Sequence, residues 1–292
     1  MKRVQLILFW ILTATTLSFG QATTLYYPQV TNGLLGSSIW KTTIFLGNPA
    51  AAGVASGTVT LFQEVPSDPK LAGVPFNSIS FVDESGAPVG AGNTIPFQIA
   101  PGQSRKFTST GVGAYHGGYA VVSADAPING AAVFSAFYAD GSSSEGGLSS
   151  SAAVTKQAIF VDTTNGYNVG VALANPTTSQ MTVTLSLLLN TGAAAALPTT
   201  VTLGANNHKA AFVSELFQGI GPMVGSMQVS SATAVPAVAL RFDSTFKVFT
   251  TLPPFTLASL ISPAMDWFEQ RPLFSPLTSI AKLLSAFRVR LV

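Results

Sequence analysis

From Trp40 to Leu46, and again from Tyr167 to Leu173, every second residue is one that a core would take. These are Trp40, Thr42, Ile44 and Leu46 in the first stretch, and Tyr167, Val169, Val171 and Leu173 in the second. A period of two predicts a strand with one buried face. Both stretches run into Asn-Pro, at Asn48-Pro49 and Asn175-Pro176. Proline removes a backbone donor and restricts the residue before it, so each ladder is expected to stop there.

The echo continues along the chain. Leu25-Tyr26-Tyr27 leading to Thr31-Asn32-Gly33 matches Ala158-Ile159-Phe160 leading to Thr164-Asn165-Gly166. Asn-Gly accepts positive φ, so each T-N-G predicts a tight turn. Thr58-Val59-Thr60-Leu61 matches Thr182-Val183-Thr184-Leu185, with Val59, Leu61, Val183, Leu185 and Leu187 expected inward. Phe97 to Gly102 matches Thr200 to Ala205, and Gly118 to Phe134 matches Gly225 to Arg241. About seven short strands per copy, separated by turn signals, predict an all-β chain of two tandem Ig-like antiparallel β-sandwich domains. The expected boundaries are a leader over 1–20, sandwiches over 21–153 and 154–257, and a tail over 258–292.

The copies differ in two places. The first carries extra Pro-, Asp- and Gly-rich material at Val65-Pro66-Ser67-Asp68-Pro69 and Asp83-Glu84-Ser85-Gly86, which reads as loops. The Ser/Gly-rich run from Asp140 to Gly147 reads as a flexible loop near the joint. Helical periodicity is confined to one turn at Ser214 to Phe217 and to the tail. In the tail, Ile280, Leu283, Leu284, Phe287 and Leu291 share one face. Such a helix can lie on a membrane or a partner; a packing helix or an unstructured appendage is the preferred reading, since the tail carries few charges.

The leader shapes the rest of the reading. Met1-Lys2-Arg3, an apolar run from Val4 to Leu12 and small residues before Gln21 predict a secretory signal cleaved after Gly20. Without Lys2 and Arg3, the net charge of +2 falls to zero, with 12 basic residues against 12 acidic ones. A neutral chain lacks the basic stripe that nucleic acid requires. With 9% charged and 47% hydrophobic residues, its polar surface must come mainly from Ser, Thr, Asn, Gln and Gly. No cysteine is present, so the cores must hold without disulfides, and lipid attachment at the cleavage site is excluded.

Candidate chemistry is sparse. The two histidines, His116 and His208, fall at non-equivalent positions and read as solvated loop residues. No G-x-S-x-G, H-E-x-x-H or P-loop motif occurs, and no cofactor or metal is expected. Asp140 to Glu145 lacks the alternating acids of a calcium loop, and Asp83-Glu84 reads as a turn. Tyr115, His116 and Tyr119 are the candidate ligand-contact residues, with Trp40 a possible third aromatic of a sugar-stacking platform. Its inward register favours a core role for Trp40. Threonines 58, 60, 182, 184, 200 and 202 fall on outward positions of half-exposed strands.

Taken together, the pattern Trp40-x-Thr42-x-Ile44-x-Leu46-x-Asn48-Pro49, the T-V-T-L strands, the turns Pro101 to Ser104 and Gly204 to Asn207 before a lysine, and the closing strands resemble tandem β-sandwich repeats of secreted environmental bacterial proteins. The resemblance covers Leu25 to about Pro253 and implies an extracellular or surface-associated module without assigned activity. The expected function is a secreted, non-catalytic structural or adhesion-type protein, with surface glycans or cell-surface proteins as partners. A carbohydrate-binding module of a polysaccharide-handling system is the alternative.

Overall fold

Alternation predicts the buried faces correctly. In the computed structural model, which describes residues 22–257, the strand Ser38–Gly47 buries Thr42, Ile44 and Leu46 while Phe45 stays exposed. The strand Asn168–Ala174 buries Val169, Val171 and Leu173. The expected leader and the tail with its amphipathic face lie outside the described residues.

Each Asn-Pro ends its strand through a buried side chain as well as through the proline. Asn48 donates through Nδ2 to the carbonyls of Gly53 and Ile99, both at 2.9 Å, and accepts at Oδ1 from the Ala50 amide. Asn175 does the same with Ser179, Leu203 and Gly204, and with the Thr177 amide. A buried amide that satisfies carbonyls on a neighbouring strand end fixes the loop's path.

The duplication extends to strand pairing. Ala55–Gln63 lies between Thr94–Ile99 and the start of His116–Phe137; Met181–Leu189 lies between Thr199–Leu203 and Val224–Val235. In the facing layers, Ser38–Gly47 lies between Ser104–Ser109 and the end of His116–Phe137, and Asn168–Ala174 between His208–Phe212 and Ala237–Phe242. Pro236 separates Val224–Val235 from Ala237–Phe242 in the second copy. The first copy carries Pro127 at the equivalent place inside one 22-residue strand, which pairs in one layer and then the other across a register shift. Residues 22–257 are sandwich-like and 60% strand, and every strand-to-strand ladder among them is antiparallel.

Three local expectations need correction. Thr31-Asn32-Gly33 is not a turn but lies within Ala22–Leu35. The buried Asn32 amide is occupied by the Val112 carbonyl and the Gly111 amide, and the hairpin turns at Gly36-Ser37 instead. The second T-N-G does turn, with Asn165 at φ 54° and Gly166 at φ 77°. The Ser/Gly-rich run is not a flexible loop. Asp140 accepts from the Ser142 amide and hydroxyl, Gly141 takes φ 82°, and Ser143–Ser149 then pairs along Ala131 to Phe137 as an edge strand. Asp83 caps the turn to Gly86 as expected, accepting from Ser85 and Ala87.

The sheet containing Asn168–Ala174 is covered on both sides. Val169, Val171, Leu173, Ala237 and Ala239 pack in the second core, whereas Ala172, Val238, Leu240 and Phe249 belong to the core of the first half. Residues 22–257 thus form one compact unit. The joint between the halves is where candidate chemistry collects.

Candidate functional site at the seam

Part of the seam is built by material present in one copy only. The arm Val65 to Gly73, which has no counterpart in the second copy, lies along the turn Gly204 to His208. Fully buried Asn207 donates to the carbonyls of Pro69 at 3.1 Å and Leu71 at 2.9 Å, and accepts from the amides of Val65 and His208. Gly73 donates to Ala205, and Gly204 to Pro69. A Cβ at Gly73 would lie 1.8 Å from the Asn206 carbonyl oxygen, and one at Gly204 would lie 1.9 Å from that of Leu71. Glycine is required at both because two backbones approach each other there.

Beyond the arm, Ser151 exchanges hydrogen bonds with the backbone of Ala237. Tyr138 donates to the Lys247 carbonyl at 2.6 Å, and Asp140 pairs with Lys247 at 2.5 Å. Trp40 stacks on Phe249, with ring centroids 5.5 Å apart.

Neither histidine is a solvated loop residue, which corrects the sequence reading. His208 is fully buried, and its Nδ1 lies 3.0 Å from Glu64 Oε2; Lys209 approaches the other carboxylate oxygen at 3.7 Å. His116 opens a strand, half-buried, with Nδ1 3.0 Å from Gln63 Nε2 and its ring edge-on to Phe76. Burial pushes the Glu64 carboxyl up. The bond to His208, its charge and that of Lys209 more than reverse this, so the carboxyl sits below its ordinary value. Burial, then the Glu64 charge, push the nearby Tyr115 hydroxyl up to about 12.

A depressed carboxylate contributes stability above its unfolded pKa and loses it as pH falls through the folded value. Acidification below about 4.3, the ordinary glutamate value, will therefore weaken the seam. Glu64→Gln will flatten that part of the stability profile while leaving the other carboxylates' contributions in place. Urea melts of both proteins between neutral and acid pH check this; parallel profiles would show that Glu64 carries none of the dependence.

Beside this pair the halves line an open cavity of about 740 Å³. The first half contributes Trp40, Phe134, Tyr115 and Tyr138, and the second contributes Ala172, Leu240, Phe242 and Phe246. Gln29 and Thr31 line it too. They are only 7% and 3% exposed, and among the described residues Gln29 Oε1 and Thr31 Oγ1 have no hydrogen-bond partner.

Of the sequence candidates, Tyr115 and His116 do come together, lining a smaller recess with Gln29, Gln63 and Glu64. Tyr119 is placed elsewhere: it is fully buried, stacked on Phe62, with its hydroxyl donating to the Asn175 carbonyl across the seam. A ligand from solvent cannot reach it. Trp40 holds its inward register but is only partly buried, forming cavity wall against Phe249 and Tyr115. Gln29, Thr31, Glu64 and His208 were missed as a group; the unmatched arm was the one sequence signal pointing to this region. Among the described residues, no cluster of three or more His, Asp or Glu is placed to hold a metal ion. Compared with known proteins, the chain matches no family model, no curated protein and no solved structure.

Proposed function

We propose that the chain is a secreted, non-catalytic structural or adhesion-type protein whose two Ig-like modules are locked together rather than strung on a linker. The seam is the observation that carries this reading. Its ionisable side chains are spent on joining the halves: Glu64 on His208 and Lys209, and Asp140 on Lys247. Within the second half, Asp162 is likewise held by Arg241. Carboxylates committed to structural partners are poorly placed to move protons in a reaction. The N-terminal leader supports export, and surface proteins or glycans are the partners such a module would meet.

The edge-on pair of Trp40 and Tyr115 at an open cavity favours the second reading, a carbohydrate-binding module. Beads coated with the full mature chain will be retained on the surface of producing cells, and Tyr115→Ala will not change that retention. A glycan array probed with the same protein will show no selective signal. Selective glycan binding abolished by Tyr115→Ala or His116→Ala would make carbohydrate recognition the function, and loss of retention without any glycan signal would remove the adhesion reading.

A further inference from the structure

We propose that the seam cavity binds an organic cation, a quaternary ammonium group on an apolar body. Its volume of about 740 Å³ falls in the range of small-molecule sites. Rings from both halves line it: Trp40, Tyr115 and Tyr138 from the first, Phe212, Phe242 and Phe246 from the second. Most of them join into one wall. Tyr115 stands edge-on to Trp40 at 6.4 Å, Trp40 stacks on Phe249, Phe249 lies 5.4 Å from Phe242, and Phe242 meets Phe212 and Phe246 at 5.7 and 6.0 Å. Aromatic faces are electron-rich, so they attract a cation while taking its alkyl groups out of water.

The charges at the cavity select the sign of the ligand. Among the described residues, the charged ones that line it are Asp140, Lys247 and Glu215. Asp140 and Lys247 pair with each other at 2.5 Å. Glu215 enters none of the ion pairs among the described residues. Its carboxylate accepts from the Phe212 amide at 2.7 Å, and a neutral donor leaves its charge uncancelled. Asp243, next to the Phe246 lip, is also outside those pairs; the Thr245 hydroxyl and the amides of Lys247 and Val248 hold it. The rim already keeps one cation against a ring and a carboxylate together. The Lys247 ammonium stands 5.6 Å from the Tyr138 ring centre while it pairs with Asp140. Phe212 and Glu215, both in the lining, offer that combination to a ligand.

One lip of the cavity keeps a ring exposed at a conformational cost. Phe246 is 47% exposed and has φ 57°, which bulky side chains rarely adopt. That backbone sets its ring edge-on to Phe212 at 5.5 Å. Strain of this kind concentrates at ligand sites. Other ligand classes fit less well. An anion would meet Glu215 and Asp243 as like charges. A metal ion wants several oxygen ligands, and among the described residues no cluster of three or more acidic or histidine side chains supplies them. A neutral apolar molecule can use the walls but leaves the Glu215 charge unanswered.

The site is independent of whether the outer surface adheres, so the two readings fail separately. Calorimetric titration of the full mature chain at neutral pH tests it with three ligands of one shape: (4-hydroxyphenyl)trimethylammonium, its neutral isostere 4-tert-butylphenol, and the anion 4-hydroxybenzenesulfonate. One cation will bind per chain, roughly tenfold more tightly than the isostere, and the sulfonate will not bind. In Glu215→Gln, whose amide oxygen can still accept from the Phe212 amide, the preference for the cation will shrink while the isostere binds as before. Phe246→Leu, at an exposed position, will independently weaken the cation more than the isostere. Thermal melts will confirm that each variant is folded. Absence of cation binding, equal binding of cation and isostere, sulfonate binding as tight as that of the cation, or an unchanged preference in either variant would each overturn the assignment.

Discussion

Asn207→Ala will lower the stability of residues 22–257 by about 3 kcal/mol, while Asn206→Gly, one position earlier, will change it by less than about 1 kcal/mol. The two asparagines are adjacent but do different work. Asn207 has no exposed surface, and its amide group meets four backbone groups, three of them on the arm. Truncation leaves those groups without partners, at about 1–3 kcal/mol for each fully buried one. The partial exposure of the arm at Val65 and Pro69 keeps the total near the lower end. Asn206 instead supplies a left-handed backbone, φ 53°, which glycine adopts freely. Urea unfolding with an unchanged slope reads the loss. Proteolysis should nick Asn207→Ala first within residues 65–73. Equal effects of the two substitutions would mean that the turn, and not the arm, is what Asn207 stabilises.

That contrast also marks how far the sequence could be read. Period-two alternation and the Asn-Pro stops place the buried faces of Ser38–Gly47 and Asn168–Ala174 because both are local properties of an extended chain. The copy-to-copy echo anticipates the shared strand pairing for the same reason. The arm was visible only as unmatched residues. Its partner turn lies well over a hundred positions later, and nothing in Val65 to Pro69 encodes that distance. The histidines went astray because polar neighbours such as Asn206, Asn207 and Lys209 signal solvent, whereas Asn207 and His208 are both fully buried by the arm.

One signal was legible and carried more than a single buried face. The alternate positions of the first copy's strand are Lys41, Thr43 and Phe45, and their equivalents in the second copy are Asn168, Gly170 and Ala172. After Asn168 that phase carries only Gly170, Ala172 and Ala174, and a strand whose two phases are both small or apolar is one that can be covered on both sides. The same holds for Ala237-Val238-Ala239-Leu240, whose phases divide between the two cores. Small residues on the outer phase leave room there, and Ala172 packs in the core of the first half.

The shared sheet leads to the largest expected effect. Ile44 is fully buried in the first core, and Val171 is 2% exposed in the second. Aspartate at either position would bury an unpaired charge and cost about 4 kcal/mol or more. Thr43→Asp, on the opposite phase and half-buried, will cost about 1 kcal/mol, chiefly the hydroxyl contact with Thr108 at 3.1 Å. The distribution of damage is more informative than its size. Ala172 and Leu240 sit in the first core while Val171 and Ala239, their immediate neighbours, sit in the second, so one sheet cannot leave either core without disturbing the other. Limited proteolysis with mass spectrometry should therefore find residues 22–153 and 154–257 both exposed in Ile44→Asp, and both exposed again in Val171→Asp. If Ile44→Asp instead leaves 154–257 resistant, the second sandwich folds without the first, and the seam is a contact between two independent domains.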